Sequence, residues 1–475
     1  MLEYLLCTSF TLFVVGFAVR RTGHFLTAEA LFSSLCGLYT LVFPVSVMLG
    51  LLGDDYTAQG LGRYYLAQAA GMLGVLTALS TTPARAENTP PGVEATCVKW
   101  PPVSVLPLVG VAICSLIMLW LLAERMGGIS SFLVLGYGGD RYLAAQDMAF
   151  LGFGHEWMTV VVSGVAYIVV TRNYRGLSFY ARAGMLLCSV AILAWLYVVL
   201  ILGARGLLAR VFLIVLNQGM MWRARKVRTV LVVVPILAVY LVLVMYGHTR
   251  PLFASEGIAT GIRESVNMFQ RNPGLVLPTA FGELTNPARA LYDLANDTFH
   301  APYWFGRSYF NVPLVFLPYG LFPNRPLTPG QWFVSVAEPA FSEAGGGLGF
   351  VTFAEGYLNF SYPGVFLQGL MLTLGISWIS RRLRAATQYG TGNSFLIWNA
   401  IQGFVIMSAI RIDIAPILKT IVFGYLVPAS LIANLDSVTR KGSRDVPGTH
   451  TLNGNDADRV TNSDLARLGN CQEGD

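Results

Sequence analysis

Charge is scarce in this chain of 475 residues: Asp, Glu, Lys and Arg make up 12% of it, against roughly a quarter of an ordinary soluble domain. That deficit excludes a cytosolic enzyme and a disordered tail protein. Lysine is scarcer still, confined to Lys99, Lys226, Lys419 and Lys441. The cysteines, Cys7, Cys36, Cys97, Cys114, Cys188 and Cys471, fall mostly inside apolar runs and show neither CxxC nor Cys/His spacing. They read as small buried hydrophobes and exclude a disulfide scaffold. There is no P-loop, no HExxH, no GxSxG and no metal-ligand spacing, so nucleotide-dependent and zinc chemistry are not expected, nor any metal or cofactor. A net charge of +6 does not imply nucleic acid, because basic residues in a chain like this sort by membrane side.

What the chain has is apolar sequence. Hydrophobic residues reach 54%, the mean hydropathy is +0.57, and apolar runs recur near the ~20-residue length that crosses a bilayer. The expected fold is an all-α polytopic membrane protein with about eleven transmembrane helices. Spans are expected at Leu2 to Val19, Ala30 to Leu52, Tyr64 to Leu79, Val103 to Ala123, Met148 to Val170 and Ala183 to Leu202. Five more are expected at Gly206 to Trp222, Thr229 to Tyr246, Phe350 to Ile379, Ser394 to Ile410 and Ile414 to Leu435. One set of alternate loops carries seventeen basic residues, from Arg20 and Arg21 to Arg440, Lys441 and Arg444. The other short loops carry five: Arg63, Arg125, Arg141, Arg205 and Arg411. The richer set belongs in the cytoplasm, which places the N-terminus outside and the C-terminus inside. Pro83-Ala84-Arg85-Ala86 resembles a cleavage site and would suit an outer loop, against that count.

The chain thus divides into spans over 1–246, a large outer loop over 247–349, spans over 350–435, and a polar, Asn/Asp/Gly-rich cytoplasmic tail over 436–475 read as disordered. A loop of about a hundred residues is far beyond ordinary connections and is expected to be a functional element. It interleaves Arg289, Arg307 and Arg325 with Tyr303, Trp304, Tyr309 and Trp332. Arginine offers paired donors to phosphate, and aromatic rings stack on sugars. Arg205 and Arg411 reach the same face where helices emerge, against the positive-inside bias, unless Arg411 merely pairs with Asp413. The ninth span opens with Glu355, Tyr357 and Asn359 and then Pro363-Gly364. An ionisable group there is costly, which makes Glu355 a candidate general base. Asp54, Asp55, His155 and His300 compete for that role, with His155 and Glu156 expected about two turns inside the fifth span.

Three stretches together resemble a known family: Tyr303-Trp304-Phe305-Gly306-Arg307-Ser308-Tyr309, Phe316-Leu317-Pro318-Tyr319-Gly320-Leu321-Phe322-Pro323-Asn324-Arg325-Pro326, and Glu355-Gly356-Tyr357-Leu358-Asn359-Phe360. With Gly282-Glu283-Leu284-Thr285-Asn286-Pro287 and Gly203-Ala204-Arg205, they are similar to the oligosaccharide repeat-unit polymerases of bacterial inner membranes, which build O-antigen and exopolysaccharide. The resemblance covers roughly residues 200–420, and Arg325 stands where the family carries lysine. It implies a GT-C-like membrane glycosyltransferase architecture, by analogy. It also implies that a glycan on undecaprenyl pyrophosphate is joined to an incoming lipid-linked repeat unit on the periplasmic side. The implied partners are those lipid-linked donors and acceptors, membrane lipid and a chain-length regulator, and no nucleic acid. On this reading Glu355 is the base, and Arg205 and Arg411 act on the departing pyrophosphate. Arg325, Arg289, Arg307, Tyr357, Asn359 and Glu283 bind substrate. A ligase with the same donor, a lipid-linked oligosaccharide flippase, and a polyprenyl-phosphate-sugar transferase using Asp54 or Asp55 are the alternatives.

Overall fold

The computed structural model describes residues 2–23, 27–51, 56–57, 59–82, 103–134, 150–171, 177–202, 204–222, 258–272, 276–317, 322–343, 347–388 and 392–444. Among these the regular structure is entirely helical. The helices are α1 (Leu2–Thr22), α2 (Ala28–Met48), α3 (Leu61–Thr81), α4 (Val105–Arg125), α5 (Ile129–Val134), α6 (Gly154–Val170), α7 (Phe179–Leu202) and α8 (Arg205–Trp222). Then come α9 (Ile258–Arg271), α10 (Val276–Ala295), α11 (Arg307–Phe310), α12 (Val312–Phe316), α13 (Pro329–Ala337), α14 (Pro339–Glu343), α15 (Thr352–Gln388) and α16 (Gly392–Ser408). The chain continues through α17 (Ile414–Thr420), a π-helical turn at Ile421–Leu426, and α18 (Val427–Arg444). Residues 1–432 pack as one unit, and 433–475 form a second whose described part is the end of α18.

Among the described residues, seven helices are long and apolar enough to cross a membrane, which supports a multi-pass membrane protein. They match seven of the eleven expected spans. Helices also stand at three others, α3, α8 and α16, while the eighth, Thr229 to Tyr246, lies outside the described residues. Of these three, α16 is the most enclosed by protein. Every residue of α16 but Ser394, Trp398 and Met407 is buried, and an interior helix tolerates Asn393, Asn399 and Gln402, which weaken its apolar signal. At the other extreme, α1 is 22% and α7 33% buried. Leu5, Leu6, Leu12 and Phe13 on α1, with Leu186, Leu187 and Leu193 on α7, remain exposed, as side chains facing lipid must. The segment expected as one large loop carries helices α9 to α14 among its described residues.

The expected ninth span is not one rod. Helical dihedrals fail at Phe360 (φ −143°, ψ 25°) and Ser361 (φ 57°, ψ −146°), splitting α15 into a short helix, 352–359, and a long one, 362–388. The short helix folds back on the long one, because Gly356 and Gly364 meet backbone to backbone and a Cβ on either would strike the other's carbonyl. Gly369 likewise abuts the Gly71 carbonyl and Gly74 the backbone at Phe366, the close approach by which small residues let membrane helices pack. Pro363 falls in the first turn of the long helix, where its missing N–H costs nothing. The long helix measures about 40 Å at 1.5 Å per residue. Roughly 30 Å separates Ser361 from Arg381 near its basic end, the thickness of the hydrocarbon core. The long helix by itself is therefore long enough to cross a bilayer.

Candidate functional site

The end of that short helix must satisfy its last carbonyls, and residues 304–308 do so. Trp304 donates its amide to the Leu358 carbonyl at 2.9 Å and Phe305 to the Asn359 carbonyl at 3.1 Å. Gly306 then turns through positive φ, 87°, which a side chain would resist. That turn aims the Gly306 and Ser308 amides at Asn359 Oδ1, 3.0 and 3.4 Å away. Asn359 Nδ2 donates to Ser308 Oγ at 2.7 Å and to the Glu355 carbonyl at 2.8 Å. Asn359 is therefore a knot, fully buried and bonded on every side.

Glu355 sits at the centre, with no solvent exposure. Ser308 Oγ donates to its Oε1 at 2.7 Å, and the Ile414 amide donates to its Oε2 at 2.7 Å. The second bond places a carboxylate on the N-terminal amide of α17, where the helix dipole favours negative charge. Asp413, just before that amide, accepts from Gly330 N at 2.9 Å through Oδ2. Its Oδ1 is buried with no hydrogen-bond partner among the described residues. Burial pushes the Asp413 carboxyl up to about 6, against the pull of hydrogen bonds from Gly330 and Thr328. Thr352 Oγ1 donates to the Ala409 and Ile412 carbonyls, and Phe350 donates its amide to the Arg411 carbonyl at 2.8 Å. Residues 304–308, Gly330, residues 350–359 and residues 409–414 thus form one hydrogen-bonded assembly.

Beside it stands a pair of cations. Lys419 Nζ and Arg325 both donate to the Val315 carbonyl, at 3.1 and 3.2 Å, and Arg325 also reaches the Leu317 carbonyl at 3.3 Å. No carboxylate lies within ion-pair distance of Lys419 among the described residues. Tyr309 donates to Gln368 at 2.7 Å and stacks on Phe360. Burial raises its phenol above the ordinary range. Arg307, exposed, lies over the Trp304 ring, flanked by exposed Tyr303, Phe305 and Phe310.

The other expected residues are placed as follows. Tyr357 is buried against Tyr303 and Tyr362. Arg289 is bound to Glu338 at 2.6 Å and Asp293 at 3.4 Å and lies over the Tyr56 ring, none of them in the Glu355 assembly. Arg205 opens α8 and Glu283 lies within α10, their side chains outside the described residues, as are Asp54 and Asp55. Arg411 is half-buried and joins the assembly through its backbone. His300 is exposed, 3.2 Å from Asp297, and His155 accepts from the Trp195 indole at 3.0 Å. Contrary to the sequence expectation of two turns' depth, His155 and Glu156 lie in the first turn of α6, because a 3₁₀ turn at Leu151–Phe153 precedes it.

Sequence reasoning missed Ser308, Asp413 as a member of the assembly, Gln368 and Lys419. Gln368 and Lys419 each left a signal, a polar or charged side chain inside an expected span. Comparison with known protein families, with characterised proteins and with solved structures finds no match.

Proposed function

We propose that this chain is a bacterial inner-membrane glycosyltransferase that polymerises undecaprenyl-pyrophosphate-linked repeat units at the periplasmic face. The observation that carries the reading is the convergence of Lys419 and Arg325 on the Val315 carbonyl. Two donors 3.1 and 3.2 Å from one oxygen lie no more than about 6 Å apart, so their like charges repel by about 3 kcal/mol or more at an effective dielectric near 20. An anion of two or more charges relieves that repulsion, and a pyrophosphate leaving group is such an anion. The three stretches that resemble the polymerases meet at the same place: Ser308 from the first and Glu355 from the third are bonded directly, and Arg325 of the second lies beside α17.

In the proposed reaction the bond between the anomeric carbon and the pyrophosphate oxygen breaks, and a bond to the acceptor hydroxyl forms. The acceptor proton passes to a carboxylate, and the charge left on pyrophosphate is met by Arg325 and Lys419. Ser308 Oγ now occupies the position on Glu355 that an acceptor hydroxyl would take. Arg307 and the exposed rings beside it offer stacking faces to sugar.

Deleting the gene and resolving the surface polysaccharide on a gel tests the reading. Collapse of long ladders to one lipid-linked repeat unit is the expected result. Full-length glycan retained on its carrier would replace polymerase by ligase, and repeat units trapped on the cytoplasmic side would replace it by flippase. Glu355→Gln, present in the membrane at wild-type level, is expected to reproduce the collapse, and long polymer in that strain removes Glu355 from the chemistry.

A further inference from the structure

A second charged cluster lies elsewhere in the bundle, where α6, α8 and α16 meet the π turn. Arg210 NH1 pairs with Glu156 Oε1 at 2.5 Å, and its guanidinium lies 4.7 Å from the Phe404 ring centroid. Tyr425, fully buried, donates its hydroxyl to Glu156 Oε2 at 2.7 Å. The Trp157 indole donates to the Phe423 carbonyl at 3.0 Å, and Gly424 packs on the Glu156 side chain. Consecutive residues of α6 thus grip consecutive residues of the π turn. A π turn adds a residue to one helical turn, re-aiming side chains and freeing a carbonyl. Here it presents the Tyr425 hydroxyl to Glu156 and the Phe423 carbonyl to Trp157 together.

The helix so gripped is the one that begins at the Glu355 assembly. Its first amide, Ile414, is on Glu355, its middle carries Lys419, and its π turn is on Glu156. We infer that Glu156, Arg210 and Tyr425 are positioning residues: they fix the height and rotation of the 414–426 helix and so hold Lys419 beside Arg325 and the Ile414 amide on Glu355. What is positioned rests on the anion-site reading above; the mechanical linkage does not.

Tyr425→Phe keeps the ring and its packing on Phe404 but removes the hydroxyl, and Trp157→Phe removes the other bond. Amide hydrogen exchange on the full-length protein in lipid nanodiscs reads the linkage directly. Both variants are expected to speed exchange at 414–420 by about tenfold, on the scale of one lost hydrogen bond, with α3 unchanged. Faster exchange confined to 421–426 would mean a purely local contact and overturn the inference. Calorimetry with inorganic pyrophosphate then separates the two readings. A wild type that binds while Tyr425→Phe binds about fivefold more weakly supports both, and equal affinities overturn the positioning. A wild type that does not bind overturns the anion site, leaving hydrogen exchange to decide the linkage.

Discussion

At the scale of single residues, neighbours in sequence divide into scaffold and surface. Ser308 is buried on Glu355 while Arg307, one position earlier, is exposed. Arg307→Ala would therefore alter what the surface can bind, whereas changes at Ser308 or Asn359 act through the assembly. Lys419→Ala removes one of two cations and is expected to weaken pyrophosphate binding at least tenfold, on the scale of a charge-assisted hydrogen bond; calorimetry showing unchanged affinity would make Lys419 a structural cap on the Val315 carbonyl. Asp413 contributes a pH dependence. Its carboxyl, raised to about 6 by burial, binds its proton more tightly folded than unfolded. The stabilisation is complete at acid pH and is lost as pH rises from about 4 through the raised value. Melting curves across that window should fall for the wild type and stay flatter for Asp413→Asn. Glu355 and Asn359 were legible in sequence because polar groups stand out in an apolar run. Ser308 was not, since nothing local distinguishes a serine that meets a carboxylate 47 residues away, and Asp413 was masked by Arg411, a ready partner two positions before it.

At the scale of elements, the folded-back α15 is the feature that hydropathy could not show. Pro363-Gly364 marks a break in sequence, yet the dihedral break comes at Phe360 and Ser361, because proline suits the first turn of the helix it starts. Packing at Gly356 and Gly364 leaves no periodic pattern, only two glycines eight apart. Gly364→Ala is expected to destabilise by about 1–3 kcal/mol through overpacking. Ser361→Gly, at a φ of 57° with extended ψ, is expected to stabilise by about 1 kcal/mol by relieving strain. Opposite shifts in melting temperature would check the pair, and a neutral Gly364→Ala would mean the short and long helices do not touch.

At the scale of the whole molecule, long apolar helices were the most legible part, because burial by lipid and burial by protein leave the same apolar length in sequence. What length could not separate is which helices face lipid, a distinction drawn by tertiary packing. The charge count predicts an outer N-terminus and an inner C-terminus, with 247–349 outside. Fusing alkaline phosphatase near residue 300 should give high activity and fusing it after residue 440 should give none, and the reverse pattern would invert the proposed site across the membrane.

The order of synthesis gives the capped short helix a further meaning. The residues that complete its end, 304–308, leave the ribosome before the helix does, so its carbonyls and Asn359 find partners as soon as they appear. The remaining partner of Glu355 is the Ile414 amide, 59 residues later. Until that stretch is made, the carboxylate at the heart of the assembly is bonded on one side only. The site closes only when the last spanning helix inserts, so a chain truncated before residue 414 carries every other member of the assembly and no finished site.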